Sequence, residues 1–215
     1  MNITYGITLH NEHEEIVKLL SVLLENKRDS DEIVIVDDYS NSITHEAIEP
    51  FLESKGNVKL FQRALNKDFG AQKNFVISKS LGDYIFQIDA DEVPHENLVL
   101  ELPSILEGAS FDFCQVPRIN FVRGITDKKM EEWNWRKNEK GWISFPDYQP
   151  RIFKNIEQIR WVGKLHEKIV GYSMAAKLPP EERYCLYHDK TFEKQVECTK
   201  FYATIDPLTV PAEFR

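Results

Sequence analysis

The chain has 215 residues, 42% hydrophobic and 12% aromatic, the profile of one globular domain of mixed class with little room for a second. Its 27 Lys and Arg face 35 Asp and Glu, a formal net charge of −8, so the basic surface that nucleic-acid binding requires is missing. No apolar run approaches the roughly 18–20 residues of a membrane span, and Met1-Asn2 leads straight into a strand pattern without signal-peptide features, which predicts a cytoplasmic protein.

The first half alternates β-branched runs with helical patterns, the rhythm of an α/β domain with a largely parallel sheet. Ile3 to Leu9 reads as the first strand. Asn11 followed by Glu14 resembles a capping box, and Ile16, Leu19, Leu20, Leu23 and Leu24 then mark one helical face. Glu32 to Asp37 is almost continuously apolar, as in a strand covered on both faces. A helix over Thr44 to Glu53, a strand over Val58 to Gln62 and a helix over Gly70 to Leu81 follow, with Gly82 suited to a left-handed helix end. Tyr84 to Ile88 is a strand running into Asp89-Ala90-Asp91-Glu92, and Pro94 is placed in the first turn of the helix carrying Leu98, Leu102, Ile105 and Leu106.

The second half is aromatic and less regular. Phe111 to Val122 alternates as a long strand, Asp127 to Lys140 is a loop or short helix, and Gln149 to Phe153 and Trp161 to Val170 are further strands. Thr191 to Ala203 is the last helix, and residues 207–215 read as a linker or tail that can lead to a further domain. Cys114, Cys185 and Cys198 have no C-x-x-C spacing and read as reduced thiols.

Polar groups gather at strand ends. Asp89 and Asp91 alternate, so both carboxylates are expected to face one ion, and hard oxygen ligands select Mg²⁺ or Mn²⁺. Asp37-Asp38 and Thr8-Leu9-His10-Asn11-Glu12 end two other strands, and open α/β sheets bind ligands beyond the carboxyl ends of their strands. There Asp38 can accept the N3–H of uracil and His10 can stack on the base. No G-x-G-x-x-G and no G-K-[ST] occurs, which excludes the dinucleotide and P-loop patterns.

These motifs, together with Asn66-x-x-x-Gly70-x-x-Lys73-Asn74 and Gly82-Asp83-Tyr84-Ile85, resemble the ordered motifs of family 2 glycosyltransferases, which adopt the GT-A fold. Pro146-Asp147, Pro150-Arg151-Ile152-Phe153, Gly163-Lys164-Leu165-His166-Glu167 and Tyr187-His188 are similar to the branch containing lipopolysaccharide-core glucosyltransferases. The resemblance covers residues 3 to 205. It implies one GT-A domain over residues 1–206, with a nucleotide-binding half (1–92) and an acceptor and catalytic half (93–206).

The resemblance further implies a nucleotide-sugar donor, a UDP-sugar first, attacked at the anomeric carbon with inversion by a hydroxyl of a glycan or glycoconjugate. Carried over by position, Thr8, His10 and Asp38 hold base and ribose, and Lys73 approaches base or phosphate. Asp89 lies on the ribose and metal side and Asp91 on the metal. Glu12, Gly70 and Ala90 complete the same motifs. His10 stands where the family more often has Tyr. His166 is the expected third metal ligand, and Asp147 and Glu167 compete as the base that takes the acceptor proton. Arg151 either binds a phosphate or acidic acceptor or pairs with an active-site carboxylate. Trp142, Trp133 and Trp135 are of the type that stacks on sugars, and residues 127–142 can form a lid. The alternatives are a sugar-1-phosphate nucleotidyltransferase, which lacks its Gly-rich basic loop here, and a catalytically silent sugar-binding module.

Overall fold

A computed structural model describes residues 1–54 and 56–214. In chain order the first half contains β1 (Ile3–Leu9), α1 (His13–Asn26), β2 (Glu32–Asp37), α2 (Ser42–Leu52), β3 (Val58–Gln62), α3 (Phe69–Lys79), β4 (Tyr84–Asp89), β5 (Glu92–Pro94) and α4 (Glu96–Glu107). The second half contains β6 (Phe113–Arg123), α5 (Asp127–Glu132), β7 (Ile143–Lys154), β8 (Arg160–Val162), β9 (Lys168–Val170), β10 (Ala175–Lys177), β11 (Leu186–Thr191) and α6 (Phe192–Ala203). The main sheet runs β3-β2-β1-β4-β7-β6-β11-β5, with β10 also paired to β6, and β8 and β9 form a separate hairpin.

The first four strands are parallel, and β7 enters antiparallel between β4 and β6. β2 is buried along its whole length because α1 and α2 cover one face and α3 the other. Ile16, Leu19, Leu20 and Leu23 of α1 are fully buried, and each such side chain contributes about 1.5–3 kcal/mol by leaving water. The chain leaves β1 towards β2 on one side and places β4 on the other. The crevice beyond the carboxyl ends of β1 and β4 is therefore the switch point at which open α/β sheets take ligands.

Several local expectations give way to tertiary demands. No capping box forms at α1: its N-cap is Glu12, which makes no side-chain cap, while Asn11 adopts φ +67° and its Oδ1 accepts the Asn41 amide at 2.8 Å. α3 closes at Ser80 in an extended conformation, so Gly82 is not its left-handed end. Gly82 is needed for room instead, since a Cβ there would stand 2.5 Å from the Thr4 amide nitrogen. Pro94 is not in a helix. It ends β5, the last strand of the sheet order, where a missing N–H is tolerated, and His95 caps α4 by accepting the Asn97 amide.

The long strand expected from Phe111 begins at Phe113, and Gln149 to Phe153 is the second half of β7. The strands β10 and β11 carry no expectation from periodicity because they are short and interrupted by charge. Residues 207–209 and 212–214 form 3-10 turns, and the segment lies against the residues joining β6 to β7. Glu213 accepts Trp133 Nε1 at 2.8 Å and Lys129 Nζ at 3.0 Å. The three cysteines are free. Among the described residues no helix is long and apolar enough to cross a membrane.

Candidate active site

The crevice is built on side chains that the sheet register brings to one face. Thr8 and Asp89 are partners across β1 and β4, and Thr8 Oγ1 donates to Asp89 Oδ1 at 3.1 Å. Arg151, from β7, donates from Nη2 to Asp89 Oδ2 at 2.6 Å, and Lys73 of α3 approaches Asp89 at 3.7 Å. Burial works against the charged form of Asp89, but Arg151 and Lys73 more than offset it and hold the carboxyl well below the usual range. Lys73 also donates to Glu167 Oε1 and lies 4.7 Å above the Trp161 ring, which leaves its ammonium between two carboxylates and an aromatic face.

Asp91 does not share the orientation expected from strand alternation. β4 ends at Asp89 and the chain turns at Ala90, whose methyl is buried in the core, so Asp91 faces His188 of β11 instead. His188 Nε2 lies 3.1 Å from Asp91 Oδ2 and Nδ1 lies 2.8 Å from Asn120 Oδ1. Asn120 in turn donates to Asp147 Oδ2 at 2.9 Å, which Arg118 also grips from Nε at 3.0 Å and Nη2 at 2.7 Å. Gln149 holds the other Asp147 oxygen at 2.7 Å. Burial of Asp147 favours its neutral form, yet Arg118, Asn120 and Gln149 outweigh it and the carboxyl sits below its ordinary range.

Glu92, fully buried, completes this network. Its Oε1 accepts Arg118 Nη1 at 2.8 Å and Arg151 Nη2 at 2.7 Å, and its Oε2 accepts Arg151 Nε at 2.9 Å. Arg151 is therefore spent on Asp89 and Glu92, the ion-pair alternative, and at 2% exposure it is closed to a phosphate. Sequence reading gave no role to Glu92, Arg118, Asn120 or His188. The available signal was polar residues at alternate positions, Arg118-x-Asn120, in an otherwise buried strand.

On the outer side of the crevice, Asp38 Oδ1 accepts the Leu65 amide at 2.8 Å, and its Oδ2 lies 3.5 Å from His10 Nδ1. His10 is 56% exposed and free to meet a planar ligand. Glu12 folds back to accept the His10 amide at 2.6 Å. Burial pushes the Glu12 carboxyl up to about 7, with Asp91 adding to the rise and the His10 amide opposing it. An unfolded Glu titrates near ~4.3. Between these values the folded state holds a proton the unfolded state has released, so stability falls as pH rises. Glu12→Gln is expected to match the unsubstituted chain in thermal midpoint near pH 4 and to exceed it by a few degrees at pH 8. A difference that does not change with pH would contradict this origin.

The turn between β8 and β9 supplies Glu167 and His166. Gly70 packs against it so closely that a Cβ would lie 2.3 Å from Gly163 O, and the Phe69 amide donates to Lys164 O at 2.9 Å. This seats Glu167 on Lys73 rather than on Lys164 or Lys168. His166 adopts φ +51° on the exposed side of the turn, its ring 6.1 Å from Tyr202, and does not join Asp89 and Asp91. Within this turn Glu167 contacts Lys73 and His166 contacts Tyr202. Gly70 shapes this turn and lines the small cavity of about 220 Å³ beside it. Trp142 is buried under Lys140, and Trp133 packs on Trp135, Phe192 and Phe214, which favours core roles over a sugar platform.

Among the described residues no three His, Cys, Asp or Glu side chains converge on one cation position. The donor chemistry nonetheless fits a hard divalent cation. Asp91 offers carboxylate oxygen, and His188 turns Nε2 towards it while Nδ1 is tied to Asn120 Oδ1, the manner in which a ligating imidazole is oriented by its other nitrogen. One or two protein ligands suffice where substrate phosphates and water complete the shell.

The family described as Glycosyl transferase family 2 matches residues 5–176. The chain is 25% identical over 174 residues to the SPbeta prophage-derived glycosyltransferase SunS of Bacillus subtilis strain 168, covering 80% of this chain and 35% of SunS. It therefore spans about a third of that relative's length. The crystal structure of S. aureus TarS 1–349 in complex with UDP-GlcNAc matches all of this chain and 68% of its own, at 16% identity and a TM-score of 0.65. The mannosyltransferase PcManGT from Pyrobaculum calidifontis in complex with GDP-Man and Mn²⁺ matches 86% of this chain and 56% of its own, at 17% identity and a TM-score of 0.57. At these identities the structural likeness speaks for the fold alone, which is the GT-A fold expected from the motifs.

Proposed function

Because the chain belongs to glycosyl transferase family 2, we propose that it moves a sugar, with inversion, from a UDP-sugar to a hydroxyl of a glycan or glycoconjugate, using Mn²⁺ or Mg²⁺. The observation that carries the reading is the placement of Thr8, Asp38 and Asp89 at the carboxyl ends of β1, β2 and β4 around the switch point, with Asp91 in the following turn. UDP-GlcNAc and GDP-Man with Mn²⁺ in the two structural neighbours support a donor of this class. The nucleotidyltransferase alternative gives way to the family match.

In this proposal His10 stacks on the base and the Asp38 carboxylate accepts its N–H. Thr8 and Asp89 face the ribose, and Asp91 with His188 would hold the cation. When bound, that cation offsets charge on the departing diphosphate. Lys73 lies between Asp89 and Glu167, where an arriving diphosphate competes for its ammonium and releases Glu167. Glu167 is the better placed of the two candidate bases. Lys73 engages one of its oxygens, whereas Asp147 accepts four hydrogen bonds. A carboxylate stabilised so fully as the anion is a weak proton acceptor.

Calorimetry of UDP with and without Mn²⁺ tests the site. Binding is expected to need the metal and to weaken at least about tenfold in Asp91→Ala, the size of effect that follows loss of a metal ligand or its support. Equal binding without Mn²⁺, or undiminished binding in Asp91→Ala, overturns the proposed cation site.

A further inference from the structure

The charged groups beneath the crevice form one continuous chain. It runs from Asp91 through His188, Asn120, Asp147, Arg118, Glu92, Arg151 and Asp89 to Lys73 and Glu167, each link a polar contact of 3.7 Å or less. Glu92 is fully buried, and the arm Asp91–His188–Asn120–Asp147–Arg118 meets the arm Arg151–Asp89–Lys73–Glu167 through it. We propose that Glu92 is a positioning residue: through Arg151 it sets Asp89 and through Arg118 it sets Asp147, so that both ends of the site are placed as one unit. The inference rests on the glycosyltransferase reading of the crevice.

The geometry favours this over simple charge neutralisation. Oε1 accepts from both arginines, at 2.8 and 2.7 Å, and Oε2 accepts Arg151 Nε at 2.9 Å and the Asp89 amide at 3.3 Å. Arg118 then uses Nε and Nη2 on Asp147, at 3.0 and 2.7 Å, and Arg151 Nη2 reaches Asp89 at 2.6 Å as well as Glu92. A planar fork held at both edges fixes angle as well as distance. β5 also places Glu92 in register with His188 of β11, and His188 in register with Asn120 of β6, so these three side chains share one face of the sheet. A carboxylate needing only a counter-ion would require one of these arginines.

Glu92→Gln keeps the size but turns an N–H towards one guanidinium, so at least one link breaks. The test uses purified full chain and measures Mn²⁺-dependent hydrolysis over a panel of UDP-sugars, with turnover expressed per UDP-binding site counted by calorimetry. Per-site kcat is expected to fall at least about tenfold in Glu92→Gln, with UDP affinity within about threefold, because misplacing reacting groups by a fraction of an ångström costs rate rather than binding. Asp147→Asn alone is expected to lower kcat by about threefold or more and to add less than about twofold in the Glu92→Gln background, as coupled residues do. If Glu92→Gln does not fold, Glu92→Asp, one methylene short of spanning both arginines, is measured in the same way. Per-site kcat within about twofold of the unsubstituted chain, or single effects that multiply in the double variant, overturns the inference and leaves Glu92 a packing charge. Failure of the glycosyltransferase reading shows separately, as no Mn²⁺-dependent UDP binding by the unsubstituted chain, and overturns the inference with it.

Discussion

Turnover of a UDP-sugar is expected to fall by about 10²- to 10⁴-fold in Glu167→Gln, the range spanned by general-base catalysis, while UDP affinity stays within about threefold. The substitution preserves shape and the contact with Lys73 can persist through the amide oxygen, so what is lost is the capacity to take a proton. Two features point to Glu167. It sits in a turn braced by the Gly70–Gly163 approach and the Phe69–Lys164 hydrogen bond, so its position is set by backbone. Its cationic partner also contacts Asp89, on the donor side, so base and donor site share one charge. Asp147→Asn is expected to cost under about tenfold, since its carboxylate already accepts from Arg118, Asn120 and Gln149. The reverse ranking, with Asp147→Asn abolishing hydrolysis and Glu167→Gln leaving it within about threefold, would exchange the two roles. Lys73→Met separates the partner from the base: it is expected to weaken UDP binding as well as turnover.

How far the sequence predicts this site depends on the range of the interaction concerned. The strands β1, β2 and β3 match their expected bounds to the residue, because their runs are bounded by polar or charged residues and need no knowledge of partners. The strand ends carrying Thr8, Asp38 and Asp89 are legible as well, β4 running one residue further than expected, to Asp89, since polarity at the end of a buried strand is a local signal. The cap of α1, by contrast, is not legible locally, because the amide of Asn41, thirty residues on, engages the Asn11 side chain. Asp91 escaped the alternation argument because one turn residue, Ala90, rotates it away. His166 and Glu167 are neighbours in sequence, and it takes the fold to show that Glu167 meets Lys73 and His166 meets Tyr202. Of the charged chain under the crevice, the crevice-facing members and the pairing of Arg151 with a carboxylate are legible, while the joining role of Glu92 is not. Glu92 and Arg118 are separated by 26 residues and Glu92 and Arg151 by 59, and the alternation of Arg118 with Asn120 does not say which carboxylates they meet.

Breaking that chain also has a large expected effect on stability. Arg151→Met is expected to cost about 3–5 kcal/mol at pH 7, the loss seen when one member of a buried ion pair is removed and the rest remain charged. Arg151 is 2% exposed and holds the fully buried Glu92 together with Asp89, while methionine fills much of the stem volume and supplies no donor. Arg118 still reaches Glu92, which keeps the loss from being larger. The pH dependence has a definite sign. Arg151 and Lys73 depress the Asp89 carboxyl against the opposing effect of burial, so their contribution is present above the unfolded value near ~3.9 and is lost as pH falls below it. The gap between Arg151→Met and the unsubstituted chain should therefore stay level from pH 8 to about pH 5 and narrow only in acid. Arg151→Lys, which keeps a charge but not the fork, should fall between them. Denaturant melts across this pH range measure all three, and a gap below about 1 kcal/mol at pH 7 would mean that water or a shifted Arg118 replaces the missing guanidinium. The cost would then lie in positioning alone, readable as lowered turnover in a domain of unchanged stability.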